Sequence, residues 1–285
     1  MTSSSNTRTT KRGITVNIRE DCADPSTSLF FVHGSMASQE QWRFQIKFFS
    51  SNYRIVSYDF YGCGSSPKPD SWDEYSTEKH LQDLIEIFDE NKTTRNFLIG
   101  HSFGASLCLM LASRRKEING LVLIAPALFE DGGHPIFRLP LFILNWIQPV
   151  LSKSFLKMAF HPETQSLKLP EHRELINFAL SRSNSNAMYV AKAFYQQIKF
   201  AREDTIKNID GNLPVVFVNG SDDQVTPISM AKQLLKYLQE DRTPKNANNI
   251  TFEIVGPSSH QVMEEKPDDV NEILDRFFQT QLSML

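Results

Sequence analysis

The chain has 285 residues, of which 40% are hydrophobic and 22% charged, and its formal net charge is −3. That length buries a sizeable core, the balance is that of an ordinary globular protein, and the charge supplies no broad positive field for a phosphate backbone, so nucleic acid is not an expected partner. The three cysteines, Cys22, Cys63 and Cys108, are an odd number without metal-type spacing, which points away from a disulfide framework or zinc site and toward a reducing, cytoplasmic setting.

The first twelve residues, MTSSSNTRTTKR, have neither the apolar core of a secretory signal nor the apolar face of an organelle leader, and they read as a disordered tail. After them comes one strand, Ile14 to Ile18, and then compact β-rich runs at Leu29 to Val32, Arg54 to Tyr58, Asn96 to Ile99, Leu121 to Ala125, Pro214 to Asn219 and Ile250 to Val255. Helical spacing fills several gaps. Leu81, Leu84, Ile85 and Phe88 repeat at i, i+3, i+4 and i+7, as do Val270, Ile273, Leu274 and Phe277 after Pro267. This alternation predicts a mainly parallel sheet with helices on both faces, its core formed by residues 13–128 and 207–285.

Residues 129–206 break the alternation with apolar helical pieces, at Leu141 to Leu151, Phe155 to Phe160, Leu175 to Leu180 and Ala187 to Phe200, and read as an inserted helical cap. Pro140 and Pro149 interrupt its most apolar stretch, which includes Phe137, Leu141, Phe142, Ile143, Leu144, Trp146, Ile147 and Val150. Such density suits a lid over an acyl-binding pocket, with Phe142 and Trp146 in its wall. Packing of the cap on the core would use the same residues.

The chemistry-bearing residues lie after strands. Gly100-His101-Ser102-Phe103-Gly104 follows the run Asn96 to Ile99 and opens an apolar helix, a junction where a strained turn holds a serine hydroxyl clear of the sheet. A plain helix N-cap serine is the structural alternative. His33-Gly34-Ser35-Met36 follows Leu29 to Val32 and can turn a backbone N–H toward the same place, so Ser35, or Met36, and Phe103 are the expected oxyanion donors. Asp222 and Asp223 follow a later strand and His260 the last one, which gives the order serine, acid, histidine. A serine hydroxyl needs an imidazole to take its proton, and the imidazole needs a carboxylate to fix its tautomer. Nothing in this set calls for a metal or cofactor.

The His33-Gly34 loop, Asp59 to Ser66, the Gly100 to Gly104 turn, Gly220-Ser221-Asp222-Asp223 with Pro227, and Ser259-His260 before Glu264, Glu265 and Pro267 together resemble the α/β-hydrolase (abhydrolase) family in its serine-nucleophile branch. Leu98 to Gly104, and Ser154 to Lys157 with Phe160, look most like the subfamily of abhydrolase-domain-containing protein eight. The resemblance implies Ser102 as nucleophile and His260 as base. Its usual acid stands three residues after the strand-ending glycine and four before a proline, and both counts from Gly220 and Pro227 fall on Asp223. The region before Leu29 implies a shortened leading hairpin. Relatives with a nucleophilic aspartate, the haloalkane dehalogenases and epoxide hydrolases, are set apart by Ser102.

The implied reaction is acyl transfer to water from a small hydrophobic ester or acyl substrate. An acyltransferase using the same intermediate, with Glu265 at the fifth position after His260, and a non-catalytic binding member remain the alternatives. The cap is the candidate for peripheral membrane contact, and the oligomeric state stays open.

Overall fold

A computed structural model describes residues 5–128, 133–240 and 249–284. In chain order the elements are β1 (Ser5–Thr9), β2 (Thr15–Arg19), β3 (Asp24–Val32), α1 (Arg43–Phe49), β4 (Tyr53–Tyr58), α2 (Thr77–Asn91), β5 (Arg95–His101), α3 (Phe103–Ala112), β6 (Gly120–Ile124) and α4 (Leu141–Ala159). They continue with α5 (Pro162–Gln165), α6 (Pro170–Asn184), α7 (Met188–Gln197), α8 (Glu203–Lys207), β7 (Val215–Gly220), α9 (Ile228–Glu240), β8 (Ile250–Val255), α10 (Val262–Glu265) and α11 (Pro267–Leu282).

The eight strands form one sheet in the order β1-β2-β4-β3-β5-β6-β7-β8. The pairs β1–β2 and β2–β4 are antiparallel and all others parallel. Alternate residues of each central strand enter opposite cores, as the two-residue period of a strand requires. Phe30, Leu98, Leu121 and Phe217 pack with α2, α3 and α9, while Phe31, Ile99, Val122 and Val218 pack with α1 and α11. The sheet is thus covered on both faces, and its central strands are apolar throughout because neither side meets water.

Two expectations change at the N-terminus. Ser5–Thr9 is not a tail but the outer strand of a complete hairpin, paired from Ser5↔Arg19 to Thr9↔Thr15. Residues 1–4 lie outside the described ones. The polar run carries no apolar signal because its stability comes from elsewhere: Arg12 forms ion pairs with Glu74 and Asp83, the Lys11 N–H donates to Glu86, and Arg8 donates to the Glu90 carbonyl. The acidic flank of α2 anchors the hairpin.

Helices α4 to α8 lie between β6 and β7; residues 129–132 at the start of the expected cap lie outside the described ones. The apolar stretch around Pro149 is one continuous helix rather than two pieces. Pro149 removes one amide donor, and the carbonyl it would have served belongs to exposed Asn145, where water can take over. Among the described residues, no helix is long and apolar enough to cross a membrane.

Candidate active site

β5 delivers Ser102 at its C-terminal end, with φ 53° and ψ −116°, a backbone conformation that a side-chain-bearing residue adopts only under constraint. Ser102 occupies the N-cap position of α3, yet its side chain makes no capping bond. It is therefore not an ordinary cap serine. The constraint comes from crowding on both sides. A Cβ at Gly100 would lie 2.6 Å from the Ala105 Cα, and one at Gly104 would lie 2.3 Å from the Val32 carbonyl oxygen and 2.4 Å from that of His33. Glycine at these positions lets α3 start against the end of β3. The turn is further pinned by the Ser102 N–H, which donates to the Ile124 carbonyl at 2.9 Å.

The loop after β3 comes up to the serine: a Cβ at Gly34 would sit 3.5 Å from the Ser102 Cβ. Phe103 is the first residue of α3, so its N–H has no partner within the helix. Ser35 stands between Gly34 and Met36 (φ 51°).

The loops after β7 and β8 supply acid and imidazole. His260 Nδ1–H donates to Asp223 Oδ2 at 2.9 Å. The same oxygen accepts from the Thr226 hydroxyl at 2.8 Å, and Oδ1 accepts from the N–H groups of Val225 and Thr226, each at 2.8 Å. Burial alone would raise the Asp223 pKa, but the His260 ring and these donors outweigh it and hold the carboxyl below its usual range. Asp222 is turned away. It accepts from its neighbour Ser221 and lies exposed, 3.7 Å from the His161 ring. Only Asp223 of the two aspartates meets His260.

A buried chain of directed hydrogen bonds joins the three loops. The Gly34 N–H donates to Gln41 Oε1, Gln41 Nε2 donates to His101 Nδ1, and His101 Nε2–H donates to the His260 carbonyl. Burial, with the His260 ring adding to it, drives the His101 pKa well below its ordinary value, so the ring stays neutral and keeps the one tautomer that completes the chain. His33 is likewise buried and neutral, with its pKa lowered to about 4. Its Nδ1–H faces the Gly34 carbonyl, and its Nε2 accepts from the Phe60 N–H. Both histidines pack and bond the loops around the site. Gln41 and Thr226 had no sequence signal, since a single polar residue between elements shows neither period nor motif.

The inserted helices hold each of these loops. Asn186 donates to the Met36 carbonyl, Val225 packs on the α4–α6 cluster, Ser259 donates to the Met158 carbonyl, and the Gln261 N–H donates to that of Ala159. Two acids behind His260 complete the junction. Glu265 accepts from the N–H groups of Ser259 and His161 and from the Thr164 hydroxyl, while buried Glu264 pairs with Arg43 of α1 and Arg182 of α6. Each of those two guanidinium groups also lies over the Phe178 ring. Beside this junction is a cleft of about 470 Å³, lined by Gln39, Asp59, Ser65, Phe178, Arg182 and Asn186 among others. Its lining does not include Ser102, Asp223 or His260.

The apolar stretch of α4 divides into two faces. Leu144 is buried, and Ile147 and Leu151 pack against the core, as does Phe137 just before the helix. Phe142 and Trp146 are 74% and 83% exposed on the outer side of the helix, where the sequence reading sets them in a pocket wall. Helical rotation carries them away from Leu144 onto the outer side.

A family model of the alpha/beta hydrolase fold matches residues 27–267. The chain belongs to that family. Human Protein ABHD8 is 29% identical over 265 residues, covering 90% of this chain and 56% of that protein, so the chain spans a little over half the length of the curated relative. Epoxide hydrolase 3 of Xenopus tropicalis is 24% identical, with 87% and 70% covered. Among solved structures, a thermophilic esterase from Thermogutta terrifontis superposes with a TM-score of 0.76 at 15% identity, covering 98% of this chain and 99% of that one. At that identity the superposition shows a shared fold.

Proposed function

We propose that this α/β-hydrolase fold protein is a serine hydrolase that cleaves an ester-type bond through an acyl-Ser102 intermediate. The observation that carries the reading is the bond from buried His260 to Asp223, at the same end of the sheet as a serine held at positive φ with its side chain free of capping duty. Asp223 fixes the His260 tautomer with Nδ1 protonated, which leaves Nε2 as the basic nitrogen. In the proposed reaction Nε2 takes the Ser102 proton as Oγ attacks the carbonyl, and later returns it to the leaving alcohol. Water then repeats the sequence in reverse roles and frees the acid. The N–H groups of Phe103 and of Ser35 receive the oxyanion.

A nucleophilic aspartate, which epoxide opening through an ester intermediate requires, is not what stands at the elbow. The names of several relatives, among them Strigolactone esterase RMS3 of pea, agree with ester chemistry. An acyltransferase reading has less support, because Glu265 is consumed by the Ser259 and His161 N–H groups and the Thr164 hydroxyl. The test is a panel of p-nitrophenyl esters from acetate to palmitate, assayed with wild type and Ser102→Ala. Turnover by the wild type and none by the variant is expected. Equal rates for the two would remove Ser102 from the mechanism.

A further inference from the structure

The outer face of α4 has a composition that packing on this protein does not explain. Phe142, Trp146 and Val150 are 74%, 83% and 64% exposed. With exposed Lys153 and Lys157 they follow at i, i+4, i+8, i+11 and i+15, which places all five within an arc of roughly 80° on a helix of 3.6 residues per turn. The stripe is apolar and aromatic in its first half and basic in its second. No aspartate or glutamate occurs anywhere in Leu141–Ala159. An exposed tryptophan costs solubility wherever it is not used, and here it is joined to a second aromatic and to two cations of like sign.

We infer that this face is an interfacial docking surface for an anionic lipid membrane. Phe142, Trp146 and Val150 enter the boundary between headgroups and acyl chains, and Lys153 and Lys157 meet lipid phosphates and carboxylates. The acid-free helix is the complement of a negative surface and gives a protein partner no opposite charge for register. The same helix is fixed to the proposed catalytic loop from its other end, because its Met158 and Ala159 carbonyls accept from Ser259 and Gln261 on either side of His260. Docking would therefore bring the lipid surface against the cover of the site.

The experiment is co-sedimentation of the full chain with phosphatidylcholine vesicles and with phosphatidylcholine vesicles carrying phosphatidylserine. Circular dichroism and thermal melts check that each variant is folded. Wild type is expected to pellet with the anionic vesicles. Phe142→Ser with Trp146→Ser should lower partitioning by about tenfold or more, given the apolar area withdrawn from the bilayer. Lys153→Glu with Lys157→Glu should lower it by a similar factor on anionic vesicles only, and added salt should imitate that loss. Met284→Ser, which removes an equally exposed apolar side chain elsewhere, should change nothing. In a Trp72→Phe background, Trp146 emission should shift to the blue on binding, since the remaining tryptophan, Trp42, is already buried.

A folded wild type that stays in the supernatant overturns the inference, as does binding that the α4 variants leave unchanged. So does a chain that self-associates through this face, recognised when the Phe142/Trp146 variant turns a dimer into a monomer without any vesicle effect. The readout is partition and not turnover, so it stands or falls separately from hydrolysis.

Discussion

Asp222 and Asp223 are adjacent and chemically alike, yet only one carboxylate faces the imidazole, and the backbone decides which. The N–H groups of Val225 and Thr226 converge on Asp223 Oδ1 and leave Oδ2 for His260 and the Thr226 hydroxyl. Asp223→Asn should keep the shape but lose stabilisation of the imidazolium, lowering kcat by about 10³ to 10⁴. Asp222→Asn should leave kcat within a small factor of wild type, and a steady-state comparison of the two variants checks both. The depressed Asp223 pKa also sets a sign for stability. Its favourable contribution is present above the unfolded-state carboxylate pKa of about 4 and disappears as pH falls through the lower folded-state value. The Tm of wild type should therefore fall faster than that of Asp223→Asn on acidification below about pH 4. Parallel curves would show that the pairing adds nothing to the folded state.

At the scale of elements, the glycines of the turn act through backbone clearance. Gly104 stands where any Cβ meets two carbonyl oxygens of the β3 end, and neither can move without displacing the strand. Gly104→Ala should cost about 1–3 kcal/mol or more by overpacking, seen as a lowered Tm. An unchanged Tm would mean that α3 is less tightly docked than these distances say. Glu264 presents a different case, since its carboxylate is fully buried between Arg43 and Arg182. Glu264→Gln should destabilise by about 1–3 kcal/mol, because two guanidinium groups lose their anion. It should also loosen α6 from the His260 loop, read as faster amide exchange in α6.

These elements differ in how legible they are in the sequence. The Gly100 to Gly104 turn can be read directly, because glycine reports backbone geometry at the residue that needs it, whereas Asp223 rather than Asp222 is what the family's spacing from Gly220 to Pro227 implies. The parallel strands are legible because burial on both faces makes them apolar runs. The hairpin strand Ser5–Thr9 is not, since its anchors are the Arg12 ion pairs with Glu74 and Asp83 and hydrogen bonds to α2, more than sixty residues away. Nor is the outward turn of Phe142 and Trp146, because a helix apolar on both faces has no period to show which side is covered.

Across the whole molecule, the buried histidines make acid stability a property of the fold. His80 lies among Phe60, Phe103 and Phe194 with both ring nitrogens unpartnered, and burial drives its pKa down to about 3. Such a ring is neutral when folded and takes a proton near pH 6.5 when unfolded, so the unfolded chain binds more protons between those values. Stability is complete above about pH 6.5 and is lost progressively as pH falls toward 3. His80→Leu, which keeps the volume and removes the titration, should flatten the dependence of Tm on pH between about 6 and 4. An equally steep curve would assign the acid loss to other groups, such as His33 and His101 at the site.

The central claim, that the sheet end carries a working acyl-enzyme site at Ser102, is tested most directly by intact-protein mass spectrometry after exposure to a fluorophosphonate probe. Wild type should gain one adduct, mapped to Ser102 by peptide sequencing, while Ser102→Ala gains none and His260→Ala gains it far more slowly. A folded wild type that takes up no probe, or an adduct that persists in Ser102→Ala, would contradict the account.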